Sequence, residues 1–320
     1  MNVRQVIPKD AIPSIDDPTF EATYPWDETD RAIVVESEPA RAYPLRILDY
    51  HEIANDRLDL EGGDTASIAV TWCPLCASAI VYDRRVGGRT LSFGVSGKLA
   101  DDDLVMYDRE TESEWKQSAG RAIGGPLAGT QLDILPATTT TIARFREGYP
   151  DGVILQPVPD AESEAAGSGD EPEPVEYGER PYAEYLSSDG FGLAAHRGDD
   201  GRSWERDDVD PTSVVLGVER DGEAVGVTLP TVADAGGTLE ISVGSTDVLI
   251  VYADGLHAYD HPGGEAALDD SNGQLVVDGT TYDPVTGESD DGRSLERIPA
   301  RRLFAFTWQD DHGPDAFYTG

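Results

Sequence analysis

Both cysteines of this 320-residue chain lie in one short segment, Trp72-Cys73-Pro74-Leu75-Cys76. Two thiols separated by two residues can bind the same metal ion, or they can close on each other as a redox disulfide. They can also be small buried apolar side chains that do no chemistry. The segment therefore supports three hypotheses: a metal site, a thiol-based oxidoreductase or cysteine-nucleophile enzyme, and a binding or scaffold module with inert cysteines.

A metal ion held by two thiolates needs further ligands, and the chain contains no second Cys-x-x-Cys to supply them. His51 is the predicted third ligand because it lies in the same half of the chain. Met106, the only internal methionine, is a candidate fourth ligand, and Asp56 is a further candidate. A thioether beside thiolates favours copper(I), whereas a cysteine and histidine set suits zinc. The sequence thus predicts zinc or copper.

The enzyme hypothesis uses Cys73 and Cys76 as reactive thiols with His51 as the base. A tryptophan before Cys-x-x-Cys is similar to the thioredoxin active site, where a helix N-terminus lowers the pKa of the first cysteine. Here the residues after Cys76 read Ala-Ser-Ala-Ile-Val-Tyr, which predicts a strand instead. The sequence leaves open whether the chain is an enzyme. The remaining histidines are predicted to be loop or surface residues: His196, His257, His261 and His312.

Short runs of Val, Ile, Tyr and Thr separated by Gly and Pro predict a mainly β fold, α+β with short helices. Strands are predicted at 32–35 and 40–45. Gly87-Gly88 predicts a two-residue hairpin turn. Short helices are predicted at 47–55 and 139–147. In this scheme the cysteines stand at the end of a strand, where a turn can present them as a site.

Four landmarks recur in the same order in the two halves of the chain, which predicts two tandemly duplicated β-rich units packed together. In the first half they are Ile80-Val81-Tyr82, Tyr107-Asp108, Leu135-Pro136-Ala137 and Pro150-Asp151; in the second they are Ile250-Val251-Tyr252, Tyr282-Asp283, Ile298-Pro299-Ala300 and Pro314-Asp315. The predicted units are residues 1–155, which carry the cysteines, and a diverged copy without cysteines at 213–320. Residues 156–212 are predicted to form an acidic linker and a strap, the linker mobile or at the surface over 157–181 and the strap lying on the second copy over 182–204.

The chain carries 62 acidic and 24 basic residues, a formal charge of −38, with only three lysines. Molar salt screens the self-repulsion of such a surface, so the composition predicts a halophilic protein. Nucleic acid is not expected as a partner because no basic patch is visible. The sequence has no apolar run long enough to span a membrane and no apolar signal segment at its start, which predicts a cytoplasmic location. The partner and the oligomeric state are left open.

Several segments together resemble the family catalogued as domain of unknown function 3179. The resemblance implies a haloarchaeal-type member and covers most of the chain, but it implies no particular activity. The segments that carry it are Ala42-Tyr43-Pro44-Leu45-Arg46-Ile47-Leu48, His51-Glu52-Ile53, Asn55-Asp56, Thr71-Trp72-Cys73-Pro74-Leu75-Cys76, Phe93-Gly94-Val95-Ser96-Gly97 and Met106-Tyr107-Asp108-Arg109-Glu110-Thr111-Glu112-Ser113.

Overall fold

The computed structural model describes residues 1–60, 63–167, 171–199, 201–269 and 271–320. The chain is mostly β, with 39% of residues in strands and 12% in helices, all of them short. The first half contains, in chain order, β1 (Val3–Gln5), β2 (Phe20–Glu21), β3 (Arg31–Val35), β4 (Arg41–Pro44), α1 (Leu45–Leu48), β5 (Ile53–Asp59), β6 (Thr65–Cys73), β7 (Ser78–Asp83), β8 (Arg85–Val86), β9 (Arg89–Thr90), β10 (Phe93–Ala100), β11 (Asp103–Asp108), β12 (Glu114–Lys116), β13 (Arg121–Gly124), β14 (Thr138–Thr141), α2 (Ile142–Gly148) and β15 (Val153–Leu155).

The remaining elements begin with a small antiparallel strand pair and a turn of 3₁₀ helix at Glu164–Ala166. In chain order they are β16 (Glu162–Ser163), β17 (Glu173–Pro174), α3 (Ala183–Leu186), α4 (Gly192–His196), β18 (Val214–Arg220), β19 (Glu223–Thr228), α5 (Leu229–Asp234), β20 (Thr238–Val243), β21 (Thr246–Tyr252), β22 (Leu256–Asp260), β23 (Ala266–Leu268), β24 (Leu275–Val277), β25 (Thr280–Tyr282), β26 (Arg301–Phe304) and α6 (Ala305–His312).

A six-stranded sheet in the order β19-β18-β26-β7-β6-β5 joins the two halves of the chain. The junction is the antiparallel pairing of β26 with β7, where Arg302 lies opposite Ala79. Strands β6 and β7 are rich in Val, Ile and Ala, and most of their residues are buried. Apolar residues on both faces make these central strands of the core. The cysteine turn that links β6 to β7 is consequently held inside the molecule.

Two five-stranded sheets flank the first half, in the orders β1-β10-β11-β12-β13 and β14-β3-β4-β15-β2. The three-stranded sheets β20-β21-β22 and β23-β24-β25 belong to the second half. The largest apolar cluster surrounds the cysteine turn and includes Trp72, Trp115 and Phe306, the last of which lies in α6. The core around the cysteines is therefore completed by a helix from the far end of the chain.

The predicted mainly β class is confirmed, and so are the strands near 32–35 and 40–45. The Gly87-Gly88 turn is also present, with positive φ at both glycines between paired β8 and β9. The first helix is shorter than predicted, because β5 begins at Ile53. In each half a strand pair leads directly into a short helix, at α1 and at α5. Whether these halves are duplicates, and where the units divide, stays a prediction.

The strap predicted over 182–204 packs on the first half of the chain and also contacts α6 of the second half, so its assignment to the second copy stays a prediction. The Tyr185 hydroxyl donates to the carbonyl of Leu75 in the cysteine turn at 2.6 Å. Phe191 reaches α6, with 4.9 Å between its ring centroid and that of Phe306. Earlier in the predicted linker, Tyr177 is also buried. Residues 168–170 of that linker and residue 200 of the strap lie outside the described residues.

Among the described residues, no helix combines the length and the apolar character needed to cross a bilayer.

Candidate functional site

The cysteine turn is a tight link between β6 and β7. The backbone N–H of Cys76 donates to the carbonyl of Cys73 at 3.2 Å, and the chain leaves the turn through Ala77 at φ 44°. This left-handed conformation is rarely adopted by alanine, so the surrounding packing must hold it. On the near side, Trp72 N–H donates to the carbonyl of Glu52 at 2.8 Å. The turn is thereby fixed from both ends.

Asp103 completes a compact group with the two cysteines. The Sγ atoms of Cys73 and Cys76 and one carboxylate oxygen of Asp103 all lie within 4.8 Å of one another, and all three residues are buried. Asp103 is the first residue of β11, the strand that follows the Asp101-Asp102 turn. The Cys76 thiol donates to the carbonyl of Asp102 at 3.3 Å, which ties the cysteine turn to the start of that strand.

The Asp103 carboxylate is only half satisfied. Its Oδ2 accepts a hydrogen bond from Ser118 N–H at 2.8 Å. Its Oδ1 is buried and has no hydrogen-bond partner among the described residues. Burial raises the pKa of Asp103 to about 6, which the nearby Lys116 ammonium opposes. A buried carboxylate oxygen without a partner is costly, and it leaves a ligand atom available on the carboxylate that lies beside the two thiols.

Burial also governs the protonation of the thiols. It raises the pKa of Cys73, and it raises that of Cys76 well above the ordinary value, where the neighbouring thiol adds to the effect. Both cysteines are free thiols in this structure. The thiolate is the reactive form, so neither side chain is activated as a nucleophile by its surroundings alone. A bound cation would reverse this preference, because metal ligation requires deprotonated sulfur.

His51 was the predicted third ligand, and the structure does not bring it into the cysteine group. Its Nδ1 lies 2.8 Å from the carbonyl of Pro13, and its Nε2 lies 2.6 Å from the hydroxyl of Tyr177. Both ring nitrogens are therefore occupied, and burial lowers the pKa of His51 to about 4. A neutral, doubly hydrogen-bonded imidazole serves packing here, and neither role predicted for His51 is supported.

Asp56 and Met106 also stay apart from the cysteine group. Asp56 accepts hydrogen bonds from Arg41 and from the Tyr43 hydroxyl, both at 2.5 Å, which makes it the centre of a buried polar network. Met106 is fully buried in β11. Side chains alternate along a strand, so Met106 and Asp103 point to opposite faces of β11. The carboxylate that lies beside the two sulfur atoms is that of Asp103, not that of Asp56.

A cavity of about 450 Å³ lies beside the cysteine turn and is lined by Cys73 and Leu75, among others, but not by Cys76. Glu52 also lines it, although only 8% of its surface is exposed. Burial, followed by the Glu164 carboxylate, raises the pKa of Glu52 to about 8. The cavity thus places one cysteine and one buried carboxyl group within reach of a small molecule.

The strap forms another side of this cavity through Tyr182 and His196. The two rings stack with centroids 5.1 Å apart. His196 is exposed, as predicted, yet it lines a cavity. His257 differs from the prediction because it is fully buried, with Nδ1 at 2.7 Å from the Thr138 hydroxyl and Nε2 at 2.9 Å from the Ala253 carbonyl.

Sequence reasoning missed Asp103 and Glu52. Asp103 is one of 62 acidic residues in the sequence. The one feature that sets it apart is that it directly precedes the apolar run Leu-Val-Met-Tyr, which is a weak indication of burial. Glu52 stands next to the predicted His51, but no periodicity marks it as buried. Both positions depend on contacts between distant parts of the chain, which local spacing does not encode.

A family model matches residues 9–316, nearly the whole chain. The chain belongs to the family described as Protein of unknown function (DUF3179). The resemblance drawn from the motifs is therefore confirmed. The matched range contains every residue of the cysteine group, and it contains all the residues that line the cavity beside it except Val6 and Ile7. Neither the curated proteins nor the solved structures contain a match to this chain.

Proposed function

We propose that this member of the family is a zinc protein, in which Cys73, Cys76 and Asp103 bind one metal ion. The observation that carries the proposal is the buried Asp103 carboxylate: one of its oxygens lies within 4.8 Å of both sulfur atoms, and its Oδ1 has no hydrogen-bond partner among the described residues. Ligands that surround a tetrahedral zinc ion at about 2.0–2.3 Å are themselves roughly 3.5–4 Å apart. Side-chain adjustments of less than about one ångström per ligand bring the three atoms to that spacing.

The chemistry of the donors favours zinc over copper. Two thiolates and one carboxylate combine soft and hard ligands, a mixture that zinc accepts. Copper(I) was a candidate because of the Met106 thioether, and Met106 faces away from the group. A divalent ion also compensates the cost of burying the Asp103 carboxylate and two thiolates in the core.

Three protein ligands leave one position of a tetrahedral ion open. Cys73 lines the cavity of about 450 Å³, so a small molecule or water in that cavity lies close to the proposed ion. Zinc with an open position acts as a Lewis acid or lowers the pKa of bound water. The arrangement suits a catalytic centre better than a closed structural one, and Glu52 and Glu164 are the acidic residues that line the same cavity.

The first test is elemental analysis with thiol titration on protein purified in molar salt. We expect about one zinc ion per chain, with the two thiols protected from alkylation until a chelator is added. Cys76→Ser and Asp103→Asn should lose the metal. Met106→Leu conserves side-chain volume, so it is the matched control and should keep the metal, as should His51→Gln. Metal-free wild-type protein would refute the proposal.

A second candidate is a dithiol redox pair, favoured by the unequal positions of the two cysteines. Cys73 lines the cavity, whereas Cys76 does not. In thiol–disulfide exchange, the Cys73 thiolate would attack a disulfide in a partner molecule, and Cys76 would then displace the second partner thiol. The protein dithiol is oxidised to a disulfide, and the partner disulfide is reduced to two thiols. Metal-free protein whose two thiols form an internal disulfide with loss of two hydrogen atoms would support this candidate.

A further inference from the structure

The cavity beside the cysteine turn has the dimensions of a small-molecule site. Its volume of about 450 Å³ falls within the usual range of ligand pockets, about 300–1,000 Å³. Most of its wall is apolar, contributed by Ile12, Leu75, Leu104 and Leu193 among others. A cavity of this size with both apolar and polar lining residues selects a ligand by the position of its polar groups. The identity of the buried polar group therefore decides the ligand class.

Glu52 is that group. Its residue is 8% exposed, it lines the cavity, and its carboxyl group makes no hydrogen bond to the part of the chain that the structure describes. Glu52 also has φ 57°, in the left-handed region that glutamate seldom occupies. A buried, unpaired carboxyl group in a strained backbone position costs stability, and such costs are found where a ligand uses the group.

The charges that act on Glu52 all have the same sign. They are the carboxylates of Glu164, Asp103 and Asp49, and no basic side chain is among its electrostatic partners in the described residues. Glu164 lines the cavity as well. The carboxyl groups of Glu52 and Glu164 thus make one part of the cavity lining acidic, and an opposite charge is favoured there.

The basic residues that line the cavity are less suited than Glu52 to bind a ligand in its interior. Lys98 already pairs with Glu114, with 2.5 Å between Nζ and Oε1. Arg197 and His196 are exposed, which places them at the mouth. Tyr182, which is buried, adds an aromatic ring to the wall. Aromatic faces attract organic cations, so the Tyr182 ring favours the same positively charged ligand as the carboxyl groups do.

We propose that the cavity binds a small organic amine, whose ammonium group pairs with the Glu52 carboxylate while its hydrocarbon part packs against Leu75, Leu104 and Tyr182. The inference goes beyond the zinc proposal and does not require it. A zinc ion bound by two thiolates and a carboxylate keeps a net negative charge, so metal binding would strengthen the same preference.

Calorimetry with three matched probes in molar potassium chloride tests this inference: phenethylamine, phenethyl alcohol and phenylacetate. We expect the amine to bind at least about tenfold more tightly than the alcohol, as is typical of a charged hydrogen bond in a buried site. Glu52→Gln should abolish this preference. Glu184→Gln changes an exposed glutamate of α3 that does not line the cavity, so it is the matched control and should retain the preference.

Leu193→Phe provides a second variant if Glu52→Gln fails to fold. It fills the apolar chamber, so it should weaken the amine and the alcohol equally. Cys76→Ser separates the two proposals, since the amine preference should survive in protein that has lost its metal. Equal or tighter binding of the alcohol or of phenylacetate to wild-type protein would overturn the inference, and so would the absence of amine binding.

Discussion

Glu52, not its neighbour His51, is the residue of this segment that reaches the cavity beside the cysteine turn. The difference arises from the backbone: Glu52 adopts φ 57°, and its carbonyl accepts a hydrogen bond from Trp72 N–H at 2.8 Å. His51 is held elsewhere, by Pro13 and Tyr177. At the scale of single residues, the candidate site therefore contains two carboxyl groups, those of Glu52 and Asp103, whose pKa values are raised by burial.

Glu52 gives a prediction for the pH dependence of stability. Its pKa is raised to about 8 in the folded protein, against an ordinary value of about 4.3 for glutamate. Between these values the folded state binds more protons than the unfolded state. The stability contribution is thus complete below about pH 4 and is lost as the pH rises towards 8. We expect Glu52→Gln to raise the free energy of unfolding at about pH 8 by roughly 1–3 kcal/mol and to change it little at about pH 5.

Urea unfolding of metal-free protein at the two pH values, in molar salt, measures this difference. Glu184→Gln serves as the control because Glu184 is exposed. The prediction would be contradicted if wild-type protein and Glu52→Gln had the same free energy of unfolding at the higher pH. Ionisation of Glu52 would then not destabilise the folded state.

At the scale of elements, the strap fixes the cysteine turn from outside. The Tyr185 hydroxyl donates to the Leu75 carbonyl at 2.6 Å and accepts from Gly192 N–H at 3.1 Å. Helices α3 and α4 are short, so these hydrogen bonds and the stacking of Tyr182 on His196 hold the strap in place. The cysteine turn is thereby restrained by the strap, a segment that lies about 110 residues further along the chain.

Tyr185→Phe removes this hydroxyl while keeping the ring. We expect a loss of about 1–2 kcal/mol in the free energy of unfolding, since two buried backbone groups lose their partner. The alkylation rate of the cysteines in metal-free protein should rise as the turn loosens. Tyr252→Phe is the matched control, because no hydrogen bond of the Tyr252 hydroxyl occurs within the described residues. Unchanged stability and thiol reactivity in Tyr185→Phe would mean that the strap does not restrain the turn.

The same scale explains how much could be predicted from the sequence. Local rules found the Gly87-Gly88 turn and the strands flanking Ser37, because turn chemistry and alternation act over a few residues. The spacing of Cys73 and Cys76 identified half of the candidate site. Asp103 could not be found in this way, since it meets the cysteines through packing of β11 on the β6 to β7 turn. The same is true of the pairing of β26 with β7.

At the scale of the whole molecule, the net charge of −38 is the dominant feature. Many basic side chains are already used in ion pairs, such as Arg46 with Asp30 and Arg301 with Glu219. The excess of carboxylates therefore repels itself across the surface unless salt screens it. A protein with this surface should depend on salt for its stability.

We expect the melting temperature to rise steadily as potassium chloride increases from about 0.1 M to about 2 M, because the Debye length falls from roughly 10 Å to below 3 Å. Differential scanning calorimetry at neutral pH measures this. Raising the salt with sodium chloride should give a similar curve if screening is the cause. A melting temperature that is flat or falls with salt would contradict the interpretation of the composition as halophilic.

The central claim is the metal centre formed by Cys73, Cys76 and Asp103, and X-ray absorption at the zinc edge tests it most directly. For protein loaded with one equivalent of zinc, we predict a shell of two sulfur atoms at about 2.3 Å and oxygen ligands at about 2.0 Å. Asp103→Asn, which should lose the metal, should not show this shell of two sulfur atoms. A shell without sulfur, or one with imidazole scattering from histidine, would contradict the proposed site.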